Sequence, residues 1–195
     1  MPKAALLAAL FLMLALAPAR ADYDQAIKDY EHGDYAAALR ELRPLATQGN
    51  LEAQAKLGAM YLDGKGVKQD YTTAMRWLKQ AATEGDVAAA ESDIGRIYYN
   101  GAGVKRDYGE AARWFQKAAE QGYAEAQIGL GTLYEYGLGV PKDYVKAYMR
   151  FQLASKGGSK DATRLRDEIG RVMRASDIAQ AEKLVAAWQP RAAAE

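Results

Sequence analysis

The chain of 195 residues contains no cysteine and one histidine, His32. No disulfide can form, and neither a thiol nucleophile nor a metal site built from several histidines can be assembled. His32 lies between Glu31 and Gly33 and is interpreted as a solvated loop side chain. Ser-x-x-Lys, Gly-x-Ser-x-Gly and His-Glu-x-x-His motifs are also missing from the sequence. We therefore expect no enzyme activity, no metal and no cofactor.

Neither sign of charge dominates the sequence. It has 26 basic and 25 acidic side chains, with a formal net charge of +1. Proteins that bind nucleic acid or anionic membranes normally carry a basic stripe or patch. The charge balance therefore argues against both classes of partner.

A long apolar run occurs near the N-terminus, at residues 4–16. Lys3 precedes it, and Ala19-Arg20-Ala21 has the small-residue pattern of a signal peptidase site. Residues 1–21 are therefore interpreted as a secretory signal peptide cleaved after Ala21. The alternative, a membrane anchor, would require a longer apolar run. We expect a secreted bacterial protein of the periplasm, with the endoplasmic-reticulum lumen as the alternative compartment.

One spacing pattern occurs three times in the middle of the chain. Gly58 is repeated at Gly95 after 37 residues and at Gly131 after a further 36. A period of about 20 to 50 residues is typical of stacked repeat proteins. The aromatic position of the pattern is Trp77 in the first copy, with equivalents at Trp114 and Arg150. We interpret Arg150 as a polar replacement in a terminal repeat that has no neighbour at this position.

Apolar residues in each copy follow helical spacing, so each copy predicts two amphipathic helices. In the first copy the two stripes are Ala53, Leu57, Met60 and Tyr61, and then Ala74, Trp77, Leu78, Ala81 and Ala82. Neither helix can bury its stripe alone, whereas stacked helix pairs can. The sequence therefore predicts an all-α fold of stacked helix pairs.

Glycine and aspartate mark the ends of these helices. A left-handed glycine is expected to close each first helix, and an aspartate is expected to cap each second helix. These residues are Gly64, Gly101 and Gly137, and Asp70, Asp107 and Asp143. The glycines inside the first helices cost roughly 1 kcal/mol each relative to alanine. Their recurrence predicts a close approach between helices at Gly58, Gly95 and Gly131.

Three features interrupt the regular pattern. The second copy has one extra residue, which predicts an irregularity near residues 86–89, although Asp86 is still expected to cap the next helix. Pro44 predicts a kink or an early end in its helix. Ser176 is expected to cap a final helix that runs to Trp188.

These residues resemble the SEL-one-like repeat family, a relative of the tetratricopeptide repeats. The matched signature is Ala-x-x-x-Leu-Gly-x-x-Tyr-x-x-Gly-x-Gly-Val-x-x-Asp-Tyr, followed by Ala-x-x-Trp and Ala-Ala-x-x-Gly, within residues 53–158. The resemblance implies a right-handed α-solenoid of about five antiparallel helix pairs. It also implies a scaffold or adaptor, although a shared fold does not fix a role.

The repeat pattern sets the expected domain organisation. After the signal peptide, a single solenoid domain is expected over residues 22–190. It would consist of a divergent first repeat at 22–50, full repeats at 51–86, 87–122 and 123–158, and capping helices at 159–190. Residues 191–195 are expected to form a frayed tail.

The resemblance also suggests where a partner binds. In related repeats the first helices line a concave face, beside the Leu-Gly and Tyr positions. The corresponding candidates here are Glu52, Asp63, Arg96, Tyr99, Asn100, Glu135 and Tyr136. Tyr and Arg are common binding anchors. For Tyr99 and Tyr136, a partly buried spacer role is the alternative.

Two functions follow from these observations. The first is a non-catalytic scaffold of the cell envelope that holds another protein or an extended peptide in its concave groove. The second is binding or hydrolysis of peptidoglycan or another glycan, with a carboxylate such as Glu135 taking part.

Overall fold

The computed structural model describes residues 22–191, and all regular structure in this part of the chain is α-helical. Residues 22–31 form α1. The remaining helices are α2 (Tyr35–Thr47), α3 (Leu51–Asp63), α4 (Tyr71–Glu84), α5 (Ala88–Asn100), α6 (Tyr108–Glu120), α7 (Ala124–Tyr136), α8 (Tyr144–Lys156), α9 (Lys160–Gly170) and α10 (Ala175–Ala187). The predicted all-α class is therefore confirmed. The predicted signal peptide and residues 192–195 of the predicted tail lie outside the described residues.

The chain divides into two compact units, one ending at Gln80 and the other beginning at Ala81, within α4. The first unit has a core of small and aliphatic side chains from α1, α2 and α3, including Leu42, Leu57 and Met60. Trp77 is half-buried and packs against this core. Thus the apolar stripes predicted from the sequence face the interior of this unit.

In the second unit, consecutive helices from α5 to α9 contact one another, and α10 packs against α8. Its core contains Phe115, Leu130 and Leu133 in one cluster and Phe151 and Ile169 in another. Burial of such side chains removes apolar surface from water and is the main term that stabilises the fold.

The glycines inside the first helices permit close helix contact, as predicted. A Cβ atom on Gly95 would lie 2.6 Å from the Phe115 ring, and one on Gly131 would lie 2.6 Å from the Phe151 ring. A Cβ atom on Gly58 would lie 2.7 Å from Leu78. Each of these distances is too short for any real side chain.

A second kind of close contact involves the turns. Gly139 follows α7 with φ +68°, and a Cβ atom there would lie 2.4 Å from the Tyr108 backbone at the start of α6. In the first unit, Gly66 has φ +70°, and its Cβ would lie 2.6 Å from Tyr35 at the start of α2. Glycine is required twice over at these positions, by conformation and by space.

The predicted caps are present. Asp107 accepts a hydrogen bond from the backbone N–H of Glu110 at 2.9 Å, and Asp143 accepts one from Lys146 at 3.0 Å. Asp70 caps the α4 N-terminus in the same way. The first helices end in left-handed glycines, with φ of 70° at Gly64, 72° at Gly101 and 69° at Gly137.

Three local predictions were wrong in whole or in part. Asp86 does not cap α5, because its φ of 53° is left-handed and Val87 takes the N-cap position without a side-chain hydrogen bond. The predicted irregularity at this point is therefore real, but the cap is not. Ser176 lies within the first turn of α10, since the helix begins at Ala175 with Arg174 as N-cap. Pro44 does not end α2, which continues to Thr47.

The beginning of the predicted tail is bound. The backbone N–H of Arg191 donates to the Glu120 carbonyl at 2.6 Å, and its guanidinium pairs with the Asp86 carboxylate at 2.9 Å. The prediction of a frayed segment is therefore wrong at Arg191. From residue 22 to residue 191, no helix has both the length and the apolar character needed to span a bilayer.

Candidate functional site

The predicted binding residues of the second unit lie on α5 and α7. Arg96 is half-buried and pairs with Asp93 at 2.8 Å. Tyr99 is half-buried, with its ring edge-to-face against Tyr108 at a centroid distance of 5.4 Å. Asn100 is exposed at the end of α5. Tyr99 also packs against the core, which agrees with the spacer role left open from the sequence.

Tyr136 differs from Tyr99 because 63% of it is exposed. The negative charge of the neighbouring Glu135 carboxylate raises the pKa of Tyr136. Partial burial raises the pKa of Glu135, and the Glu168 charge adds to this effect. Tyr99 makes a smaller contribution to the raised pKa of Tyr136.

We call Arg96, Tyr99, Asn100, Glu135 and Tyr136 together the α5–α7 face. The other two predicted residues belong to the first unit and are described separately. Glu52 is exposed in the first turn of α3, and Asp63 is exposed at its end, 4.0 Å from the Lys65 ammonium. The partner-binding role of all seven residues stays a prediction.

A cavity of about 780 Å³ lies elsewhere in the second unit, between α6 and α8. The floor and walls include Leu130 and Tyr134 of α7, and Leu184 of α10 lies at one side. Four basic side chains also line it: Arg113, Lys117, Lys146 and Arg150. We call this space the α6–α8 cavity. No residue of the α5–α7 face lines it.

Arg150 is the most unusual of these side chains because it is only 9% exposed. Its guanidinium donates to Gln127 Oε1 at 3.1 Å and to Gln116 Oε1 at 3.3 Å, both neutral amides. Burial lowers the pKa of Arg150. The interpretation of Arg150 as an unstacked terminal position was therefore wrong, since α6 and α7 supply its partners.

The sequence analysis missed this cavity, although one signal for it was present. Arg150 stands where the two preceding copies have Trp77 and Trp114. A basic residue at a position that is aromatic in the other copies marks a change in what the position contacts. The burial of the position could not be read from the pattern alone.

A second buried polar group lies near the start of α5. Glu91 is 0% exposed and accepts a hydrogen bond from Gln121 Nε2 at 2.8 Å. Burial raises the pKa of Glu91 to about 7, with a further contribution from the Asp86 charge, while Lys117 and Arg191 act in the opposite direction.

Among residues 22–191, no three His, Cys, Asp or Glu side chains are grouped closely enough to hold a metal ion. His32 is exposed, and its Nδ1 lies 2.7 Å from the Lys28 carbonyl oxygen. What the structure presents instead is an aromatic and charged helix face together with a basic cavity.

Paired helices repeated at a near-constant period define a helical repeat protein of the solenoid class. The Sel1 repeat family model matches residues 51–86, 88–123 and 124–159, together more than half of the chain. The chain belongs to the Sel1 repeat family, as its resemblance predicted.

Solved structures of the family support this assignment. A Sel1 repeat protein from Oxalobacter formigenes is 31% identical with a TM-score of 0.63, over 72% of this chain and 57% of that one. A protective antigen of uropathogenic Escherichia coli with an SLR fold is 30% identical with a TM-score of 0.53, over 86% of this chain and 44% of that one. Cysteine-rich protein B of Helicobacter pylori is 26% identical with a TM-score of 0.52, over 64% and 94%. This chain thus spans about half the length of the first two relatives.

Proposed function

We propose that this chain is a non-catalytic scaffold of the bacterial cell envelope that binds another protein or an extended peptide on its α5–α7 face. Sel1 repeats generally mediate protein binding, and proteins of this fold generally act as scaffolds. The envelope location rests on the signal-peptide pattern of residues 1–21.

The exposure of Tyr136 is the main reason for choosing this face. A tyrosine that is 63% exposed, on a helix and next to the Glu135 carboxylate, offers a broad apolar surface with a polar tip at low entropic cost. Arg96 and Asn100 add hydrogen-bonding groups on the neighbouring helix. Such a combination of aromatic and polar groups is typical of interaction surfaces.

The test replaces residue 136 and residue 144, one at a time, with a photo-crosslinking amino acid, and compares the adducts formed in the bacterial envelope. Tyr144 is the matched control because it is also an exposed tyrosine, at the start of α8. We expect a discrete adduct from position 136, which Asn100→Ala or Glu135→Ala weakens, and none of the same mass from position 144. Identical adducts from both positions would contradict the proposal.

The envelope location has its own test. Fractionation of cells that express the full chain should recover it in the periplasm, and a chain without residues 1–21 should stay in the cytoplasm. Recovery of the full chain in the cytoplasm would contradict this part of the proposal.

The second function, glycan binding or hydrolysis, is favoured by one observation. Glu135 has a raised pKa and lies beside the exposed ring of Tyr136, with Glu168 close enough for its charge to act on Glu135. Two neighbouring carboxyl groups are the usual requirement for glycoside hydrolysis. Incubation with purified peptidoglycan tests it: co-sedimentation or release of soluble fragments, lost in Glu135→Gln, would support this function over the first.

A further inference from the structure

The α6–α8 cavity has a basic lining that the peptide-binding proposal does not use. Of the four cations that line it, Arg113, Lys117 and Lys146 stand around the rim and Arg150 lies within. Among the lining residues in the described part of the chain, none is Asp or Glu. The charge of the lining is therefore of one sign.

Arg150 is a buried cation whose charge is only partly compensated by its neighbours. A buried cation is costly unless a carboxylate or several acceptors compensate for the lost water. Arg150 has two neutral amide acceptors, and its Nε has no hydrogen-bond partner among the described residues. The negative charge of Glu120 acts on Arg150, but the Glu120 carboxylate is hydrogen-bonded to Gln116 rather than to Arg150.

The repeat pattern shows that this cation is not required by the fold. The two preceding copies place Trp77 and Trp114 at the equivalent position. The third copy replaces an apolar ring by a guanidinium that the surrounding helices only partly satisfy. A ligand with a negative charge would complete the site, because a guanidinium is well suited to bind carboxylates.

The rim cations can turn toward such a ligand. The side chain of Arg113 is 71% exposed and pairs with Glu110, and that of Lys146 is 53% exposed and lies 3.5 Å from Asp143. Exposed ion pairs of this kind contribute little, with a median of about 0–1 kcal/mol. The Lys117 ammonium lies over the Trp114 ring at 4.6 Å, and the side chain is exposed.

Apart from Gln116, the rest of the lining is mainly apolar. Tyr134, Val140 and Met149 contribute side chains, and Leu184 is 39% exposed at the edge. A volume of about 780 Å³ lies within the range of clefts that hold ligands of modest size. The cavity therefore suits a short segment that carries both carboxylates and apolar side chains.

We propose that the α6–α8 cavity is a second binding site, which takes a short acidic peptide segment of a partner protein through Arg113, Lys117, Lys146 and Arg150. The carboxylates of the segment contact the four cations, and its apolar side chains contact Tyr134, Met149 and Leu184. This site shares no residue with the α5–α7 face, so either site can be lost without the other.

The experiment measures fluorescence anisotropy of labelled hexapeptides on the full chain. One peptide alternates glutamate with leucine, and its neutral counterpart alternates glutamine with leucine. We expect saturable binding of the acidic peptide and affinity at least about tenfold lower for the neutral one, with both affinities converging as salt screens the charges.

Lys146→Glu is the informative variant, and Lys160→Glu is its matched control. Both reverse one charge in the first turn of a helix, but only Lys146 lines the cavity. A glutamate three residues after the Asp143 cap is favourable for the helix, so the fold is expected to be retained. We expect Lys146→Glu to weaken acidic-peptide binding about tenfold and Lys160→Glu to change it less than about twofold.

Several results would overturn the proposal. These are equal affinity for the acidic and neutral peptides, equal affinity of Lys146→Glu and the unmodified chain, and no saturable binding. Complete displacement of the acidic peptide by an equal concentration of inorganic phosphate would also overturn it, because it would indicate an anion site without peptide selectivity.

Discussion

The second and third full repeats have similar helices but differ at two positions, where Glu91 corresponds to Gln127 and Trp114 to Arg150. Their first helices, α5 and α7, have the same length and end in glycines with φ of 72° and 69°. Gln127 in α7 donates to the Ala119 carbonyl at 2.7 Å and accepts from Arg150. Its equivalent in α5 is Glu91, which as a carboxylate has no hydrogen to donate.

The first unit shows which arrangement belongs to the repeat itself. Gln54, at the same position, donates to the Ala46 carbonyl at 3.0 Å, across the same eight-residue separation as Gln127. In the second repeat Glu91 accepts from Gln121 instead, and its Oε1 is buried without a partner among the described residues. The repeat therefore keeps its backbone structure when the side chains at these positions change. Glu91 and Arg150 each introduce an ionisable group into the interior.

Both repeats require a glycine where their two helices meet. The largest expected loss of stability tests this shared requirement. Gly95→Leu and Gly131→Leu should each lower the stability by about 2 kcal/mol or more, because the new side chain would overlap Phe115 or Phe151. Thermal unfolding followed by circular dichroism measures this effect.

Gly109→Ala is the control for these substitutions, since a Cβ there meets a single atom, at 3.3 Å. It should not lower the melting temperature. An unchanged melting curve for Gly95→Leu would show that close helix approach does not explain the recurrent glycine.

The second prediction concerns the pH dependence of stability and tests the consequence of having Glu91 where the other repeats have glutamine. The pKa of Glu91 rises from its ordinary value of 4.5 to about 7, so the folded state binds more protons than the unfolded state between these values. Its contribution to stability is therefore greatest below about pH 4.5 and is lost as the pH rises to about 7. Glu91→Gln restores the side chain of the other repeats and should raise the stability at pH 8 by about 1 kcal/mol, or about 2–4 °C in Tm.

The gain from Glu91→Gln should shrink toward pH 4.5, because the folded state then no longer holds the buried Glu91 carboxyl in its charged form. Thermal scans of both chains from pH 4.5 to pH 8 measure the difference. Glu125→Gln, an exposed substitution in α7, serves as the control. A gain that is constant with pH would contradict the assignment of the effect to the Glu91 charge.

The last prediction concerns the aspartate caps that both repeats have at the start of their second helices. Asp107→Ala and Asp143→Ala should each cost about 1 kcal/mol, because each aspartate caps its helix with similar geometry. Urea unfolding measures both, with Asp161→Ala as the control inside the first turn of α9. A loss in one variant and none in the other would show that the caps are not equivalent.

Features that depend on close neighbours in sequence could be predicted. Asp107, Gly101 and Gly95 each have a role set by the helix in which they lie and by spacing within one period. Asp86 shows the limit of such reasoning, because the one extra residue moves it to a left-handed conformation and its carboxylate pairs with Arg191. Asp86 and Arg191 are too far apart in the chain for a local sequence pattern to predict their contact.

The same distinction applies to the two candidate sites: position within the repeat predicts one, whereas the other depends on contacts between helices. The residues of the α5–α7 face follow from position within the repeat, although the core contact of Tyr99 depends on Tyr108 in the next helix. The α6–α8 cavity requires α6, α7, α8 and α10 to meet, so it could not be predicted from spacing. The exchange of Trp114 for Arg150 was visible in the sequence, but its meaning depends on Gln116 and Gln127, which the pattern does not place beside it.

The contacts of Gly66 and Gly139 with earlier helices have a consequence for how such a chain is synthesised and lengthened. Gly66 follows Tyr35 by 31 residues, and Gly139 follows Tyr108 by 31 residues. The surface on which each turn rests is therefore synthesised before the turn itself, which favours folding from the N-terminus during translation. Duplication or loss of one complete period keeps this surface at the correct distance, whereas an insertion of part of a period would leave a turn glycine without it.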